Sequence, residues 1–309
     1  MTDSEKFEQS LVSELAREVL SEQRRNRRWG IFFKILLALY LFTFLIIYLV
    51  GNVESGGFGG EKHTALIEIK GVIAADTEAR ADYIVTGLRR AFKDKNTQGI
   101  ILRINSPGGS PVQAGYINDE IKRLREKYPE IPLYAVISDV CASGGYYIAA
   151  AADKIYANKA SIVGSIGVVM AGFGFVDAIE KLGVERRLLH AGDHKGFMDP
   201  FQPLNLDEES HVQGLLDEIH QQFIDVVKDG RGDRLIDDEI LFSGLIWSGQ
   251  ESIKLGLVDE LASASEVARD VIGAEDIIDY TKRENYLDRF AKQIGSTMLL
   301  RLNGPLNLQ

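Results

Sequence analysis

An α/β fold with a mostly parallel sheet, preceded by one N-terminal transmembrane helix, is what this 309-residue sequence predicts, and three observations predict it. From His63 onward, apolar β-branched runs alternate with stretches of helical periodicity, and repeated βα units imply parallel strands covered by helices. The run Ile31 to Val50 is interrupted only by Lys34 and Thr43. At about 1.5 Å per residue it covers about 30 Å, the thickness of a bilayer's hydrocarbon core. Without the first 60 residues about 250 remain, the size of one α/β domain with a substantial core. The expected division is 1–30 as a cytoplasmic segment, 31–50 as the transmembrane helix, 51–60 as a linker, 61–280 as one folded domain and 281–309 as a tail.

Thr2 to Arg28 reads as a charged helix, solvated by default, with Leu11, Leu15 and Leu20 along one face. Arg24, Arg25, Arg27 and Arg28 crowd one flank of the apolar run, whereas Gly51 to Gly60 carries one acid and no base. The positive-inside rule therefore places the N-terminus in the cytoplasm and the folded domain on the other side. Trp29 falls at the cytoplasmic interface, and Lys34 is close enough to it to snorkel. A cleaved signal peptide has an apolar region of about 7 to 15 residues and an Ala-x-Ala site, and none follows Val50. Asn52 to Gly60 is a glycine-rich linker.

Past the linker, His63 to Ala74 is apolar and β-branched, Asp76 to Lys93 has helical periodicity, and Gly99 to Ile104 is a strand. Pro111 to Lys127 is a helix with proline in its first turn, and Pro132 to Val140 is an extended apolar run. Ile148 to Ala152 is alanine-rich and helical; Lys154 to Ala157 and Ile162 to Val169 read as strands, Phe173 to Leu182 as a helix and Glu185 to His190 as a strand. Leu206 to Asp229 is a long amphipathic helix, and Tyr286 to Leu302 is a further amphipathic candidate in the tail.

Composition excludes several function classes. A net charge of -10 argues against nucleic acid as a partner. The histidines at 63, 190, 194, 211 and 220 form no His-x-x-x-His pair and there is no Cys-x-x-Cys, so neither a metal nor another cofactor is expected. A single cysteine rules out an intramolecular disulfide, and the position of Cys141 at the end of an apolar strand predicts burial.

Chemistry is concentrated in Ser143, within Ala142-Ser-Gly-Gly-Tyr-Tyr147, and Lys195, within Gly192-Asp-His-Lys-Gly196. Ser143 stands where a strand turns into a helix, and free N–H groups and the positive end of a helix dipole favour the charge that develops when a hydroxyl adds to a carbonyl. A lysine can be the base for such a serine when burial strips water from its ammonium and favours the neutral form. A third segment, Ile104-Asn-Ser-Pro-Gly-Gly109, also ends a strand, and its glycines let backbone N–H groups approach a ligand. In open parallel sheets the reactive site gathers at these carboxyl ends. The plainer readings are a helix cap at Ser143 and a solvated charge at Lys195. Cys141 as a rival nucleophile is weaker because strand alternation and the helix start favour Ser143, and His194 as the base of a triad is weaker because it and the adjacent Lys195 point in different directions. Asp139 and Asp153 read as surface or turn carboxylates, and Arg231-Gly-Asp233 as a chance tripeptide.

With these segments in view, the chain resembles the signal peptide peptidase A (SppA) family, membrane-bound serine proteases of the ClpP and crotonase-like superfamily. The resemblance runs from about Thr64 to Leu261 and rests on Asn105-Ser-Pro-Gly-Gly109, Ala142-Ser-Gly-Gly-Tyr-Tyr147, Val163-Gly-Ser-Ile-Gly-Val168, Asp193-His-Lys195 and Gly256-Leu-Val-Asp-Glu260, in the family's order. It implies a ClpP/crotonase-like fold of repeated ββα and βα units, Ser143 as nucleophile, Lys195 as general base, and Ser165 as the serine that orients the lysine. It also implies an oxyanion hole of Gly109 and Gly144 N–H. No cofactor or metal is implied. The expected substrates are signal-peptide remnants and other short membrane-associated peptides. The expected setting is a bacterial inner membrane with the protease domain outside the cytoplasm, in a homo-oligomeric ring whose active sites lie at subunit interfaces. Two alternatives predict other features. A crotonase-type acyl-CoA enzyme needs neither an anchor nor a nucleophilic serine, and a catalytically silent scaffold would not need serine, lysine and glycine loop together.

Overall fold

The computed structural model describes residues 3–53 and 61–283. The chain divides into two units, Met1–Gly59 and Gly60–Gln309, each described by itself. The first contains helix α1 (Asp3–Val53), in which the charged stretch and the apolar run form one continuous element. Gly30 alone interrupts the good helix formers at their junction, and one glycine costs only about 1 kcal/mol. The helix runs three residues past Val50, into the start of the expected linker. Its stretch Glu22–Ile46 is long and apolar enough to cross a membrane, and every side chain there is exposed. From Ile31 to Ile46 this stretch is apolar on every side except at Lys34 and Thr43, and such a helix needs an apolar surrounding, which fits a membrane anchor. Trp29 packs its ring 5.7 Å from that of Phe32. The face proposed for Leu11, Leu15 and Leu20, residues 54–60 and the tail helix Tyr286–Leu302 lie outside the described residues and side chains.

The second unit is a mixed α/β structure around a mostly parallel sheet. Its strands are β1 (His63–Lys70), β2 (Thr97–Ser106), β3 (Leu133–Ala142), β4 (Lys154–Ala157), β5 (Ile162–Gly164), β6 (Ile246–Ser248), β7 (Glu260–Leu261) and β8 (Ile277–Asp279). The order is β6-β5-β3-β2-β1-β8, with β4 pairing β3 and β7; only β5 with β6 is antiparallel. The helices are α2 (Ala81–Lys93), α3 (Pro111–Lys127), α4 (Gly144–Ala149), α5 (Val176–Lys181), α6 (Leu206–Arg231), α7 (Gly249–Lys254) and α8 (Ala264–Glu266).

Strand alternation explains the two cores. In β1 and β2, Ala65, Ile67, Ile69, Ile100, Leu102 and Ile104 point into the larger core. Leu66 and Ile101 point to the other face, where Val136, Tyr156, Val267 and Ala268 cover them. The second face is covered only in part: Glu68 and Arg103, two positions along from Leu66 and Ile101, pair at 2.9 Å with part-exposed side chains, which is why charged residues interrupt the apolar runs of the central strands. Helix α3 starts where expected: the Ser110 side chain accepts from Gln113 N–H and Pro111 fills the first turn.

Three expectations need correction. Helix α2 begins at Ala81 rather than Asp76. Before it, the Thr77 hydroxyl accepts from Ala74 N–H and donates to Val72 O, a local turn that competes with the helix. Only Ile162–Gly164 of Ile162–Val169 is strand, because the backbone turns at Ser165, where φ is positive. Glu185–His190 is no strand, since among the described residues no neighbouring strand pairs with it.

The resemblance segment Gly256-Leu-Val-Asp-Glu260 turns out to be structural. Asp259 accepts from Arg231 at 2.8 and 3.0 Å and from Ile155 N–H at 2.6 Å. Burial raises the Asp259 carboxyl, but the Arg231 guanidinium and the backbone bond outweigh it and hold the group below the usual carboxylate range. Arg231 is 1% exposed, so the tripeptide Arg231-Gly-Asp233 presents no arginine to solvent.

Candidate active site

Three strand ends meet at the carboxyl edge of the sheet, and each carries a residue singled out in the sequence. Ala142, the last residue of β3, pairs with Gly164, the last residue of β5. Ser143 and Ser165 follow them, and Ser143 N–H donates to Gly164 O at 2.9 Å. On the other side Ser106, which ends β2, pairs with Cys141.

Ser143 holds φ 50° and ψ -124°, a sharp elbow between β3 and α4. A non-glycine residue at positive φ is uncommon, and such strain collects where function requires a fixed side chain. The turn lifts the half-buried serine out of the strand's pleat and places Gly144 N–H at the start of a helix. Its side chain makes no capping bond, which removes the plain helix-cap reading.

The glycine loop lies directly against this elbow. Gly108 has φ +100°, and a Cβ built there would lie 2.7 Å from Ser143 Cβ and 2.8 Å from Gly144 N. A Cβ on Gly144 would lie 3.4 Å from Gly109 N. The loop is pinned by Ile73 N–H donating to Gly108 O at 2.9 Å and by Ser110 N–H donating to Ile73 O at 2.7 Å. Among the described residues, neither Gly109 N–H nor Gly144 N–H has a hydrogen-bond partner. Two unspent donors beside a serine hydroxyl are what a tetrahedral oxyanion requires.

Cys141 is fully buried and burial pushes its thiol up, so no thiolate competes with Ser143. Asp139 accepts from Asn105 Nδ2 at 2.7 Å, tying the end of β2 to β3, a role that its position in the sequence did not reveal. Asp153 accepts from Leu133 N–H at 2.8 Å and pairs with Arg125.

Ser165 shares the elbow geometry, with φ 52°, and its N–H donates to Leu245 O at 2.7 Å. Within one chain no hydrogen bond joins Ser143 to Lys195, whose side chain is exposed. Lys195 lies in a turn closed by its own N–H on Gly192 O at 3.0 Å. His194, exposed beside it, bonds Glu208 at 3.1 Å on the first turn of α6, and has no bond to Ser143. The segment around them leaves Val169, Phe173, Leu182, Leu189 and Leu206 between 77% and 97% exposed. Among the described residues no group of three or more His, Cys, Asp or Glu side chains could hold a metal ion.

The family profile and the protease-named relatives point to the same family. The sequence profile described as Peptidase family S49 matches residues 125–275. A protein of Enterococcus faecium named "Putative signal peptide peptidase SppA" is 31% identical over 244 residues, covering 76% of this chain and 67% of that protein. "Protease 4" of Haemophilus influenzae is 30% identical over 206 residues, covering 65% of this chain and 33% of that protein. A Brucella abortus protein named "Na(+)/H(+) antiporter NhaA" is 45% identical over 186 residues, 60% of this chain. The match spans only 25% of that protein's length, so its name also covers much sequence with no counterpart here.

Proposed function

The chain belongs to peptidase family S49, and from that premise we propose that it is a membrane-anchored serine endopeptidase with a Ser143–Lys195 dyad. Its proposed substrates are cleaved signal peptides and other short membrane-associated peptides. The observation that carries the reading is the strained Ser143 elbow packed against the glycine loop, with the N–H groups of Gly109 and Gly144 unpaired among the described residues.

The chemistry follows from these groups. Neutral Lys195 takes the Ser143 hydroxyl proton as the oxygen adds to the scissile carbonyl, and the new oxyanion accepts from Gly109 and Gly144 N–H. Collapse expels the amine, which leaves with the proton from the lysine ammonium. Water then adds to the acyl-serine with lysine again as base, releasing the acid and restoring the hydroxyl. Ser165, one strand over from Ser143, is proposed to orient the lysine.

A lysine base has to be neutral, and Lys195 is exposed in the single chain. The apolar side chains around it supply a reason to expect a covering partner, since isolated soluble domains rarely leave so many large apolar groups in water. A second copy seated on that segment would bury Lys195 and set it against the neighbour's Ser143 in a homo-oligomer. The helix Glu22–Ile46 would anchor the assembly, and the arginines in its N-terminal turns, before the apolar run from Ile31, favour a cytoplasmic N-terminus and an extracytoplasmic protease unit in a bacterial inner membrane. Hydrolysis of apolar peptides by the full-length chain in detergent, unaffected by chelator and abolished by Ser143→Ala, tests the reading. Full activity in that variant contradicts it.

A further inference from the structure

We propose that Asn118 is a positioning residue that sets the spacing of the two oxyanion donors; the inference rests on Gly109 and Gly144 N–H being those donors. Each donor is attached to a different helix. Helix α3 begins at Pro111, two residues after Gly109, and α4 begins at Gly144 itself. The geometry of the hole is therefore the geometry of α3 against α4.

Helix α4 has only six residues, too few to hold its axis unaided. Its last carbonyls need partners from outside the helix. Ala150, Ala151 and Ala152 N–H donate to Tyr146 O, Ile148 O and Ala149 O, which passes over Tyr147 O. Asn118 Nδ2 donates to that carbonyl at 2.8 Å. Tyr147 N–H in turn donates to Ser143 O at 3.0 Å, so two bonds connect the nucleophile's peptide group to a side chain of α3.

The rest of this contact cannot fix a position as well. Ala114 lies one turn before Asn118 on the same face, and a Cβ on Gly144 would lie 3.5 Å from Ala114 Cβ. Small apolar groups pack closely but are not directional, whereas the amide bond is. Asn118 also carries a cost. It is fully buried, and its Oδ1 has no partner among the described residues. A leucine of similar volume would avoid that orphaned acceptor but would also lose the Nδ2 bond to Tyr147 O, so the amide's cost is set against that one directional contact.

The test compares wild type, Asn118→Leu and the milder Asn118→Ser as full-length chains in detergent, with a chromogenic apolar peptide and a peptide aldehyde that forms a tetrahedral adduct on serine. The inference predicts a kcat lower by about 10- to 100-fold, KM within about twofold of wild type, and aldehyde affinity weakened by the same factor as kcat. Unchanged kcat and aldehyde affinity in a folded variant overturn it, as does a fall that merely tracks a lower melting temperature. If Asn118→Leu fails to fold, Asn118→Ser carries the comparison. Ser143→Ala is measured alongside. Full activity there overturns both the site and this inference, whereas a dead Ser143→Ala with a normal Asn118 variant overturns this inference alone.

Discussion

Ser143 and Ser165 close adjacent parallel strands at the same level, each at positive φ, joined through the Ser143 N–H bond to Gly164 O. A parallel pair in register delivers the two residues side by side on one edge of the sheet, although 22 positions separate them in the sequence. The remaining parts of the proposed site are measured from this edge.

The Gly108–Ser143 contact gives the sharpest steric prediction. A methyl group at 108 meets Ser143 Cβ and the Gly144 nitrogen below 3 Å, on a backbone that L residues avoid. Gly108→Ala is expected to lower kcat by at least about 100-fold while circular dichroism still reports a folded sheet. Near-normal turnover would show that the loop does not rest on the nucleophile.

If the dyad is shared between subunits, mixing inactive Ser143→Ala chains with inactive Lys195→Ala chains restores activity. About a quarter of the interfaces in a random mixed ring would pair an intact serine with an intact lysine. Lys195→Arg stays inactive in every mixture in which it supplies the base, because guanidinium does not give up its proton. No rescue in verified mixed oligomers would place the dyad within one chain.

Much of this site was legible because its parts are local. Glycine loops after apolar runs marked the ends of β2 and β3, and proline in the first turn marked α3. Other features depended on partners far along the chain. β6 is three residues long and pairs antiparallel with β5 from 84 positions away at Val163–Trp247. The sequence assigned Asp259 no partner, because the buried Arg231 that it pairs with lies 28 positions earlier. Glu185–His190 has a strand's composition without a neighbour to pair with. The surroundings of Lys195 were the least legible, since one chain leaves that segment uncovered.

Acid stability has a specific source in Glu120. The hydrogen bond from Arg123, joined by Arg89 against the opposing effect of burial, holds its carboxyl at about 2 against an ordinary 4.5. The folded value is the lower one, so the contribution is complete above about 4.5 and is lost as pH falls from there toward about 2. Both arginines are more than half exposed, which limits the contribution to about 1 kcal/mol. Thermal melts of Glu120→Gln should lie slightly below wild type at neutral pH and converge with it across that acid window. Parallel curves would refute the assignment.

The Arg231–Asp259 pair is expected to behave differently because it is buried. Removing the carboxylate strands a guanidinium that is 1% exposed, so Asp259→Ala should cost about 3 to 5 kcal/mol in denaturant unfolding. A loss below about 1 kcal/mol would mean that water reaches Arg231.

The central claim is that Ser143 is the nucleophile, and covalent labelling reads it directly. The full-length chain in detergent, treated with a fluorophosphonate and analysed by peptide mass spectrometry, should carry one adduct, on Ser143, and Ser143→Ala should carry none. Labelling of Ser165 instead, or equal labelling of wild type and Ser143→Ala, would contradict the account.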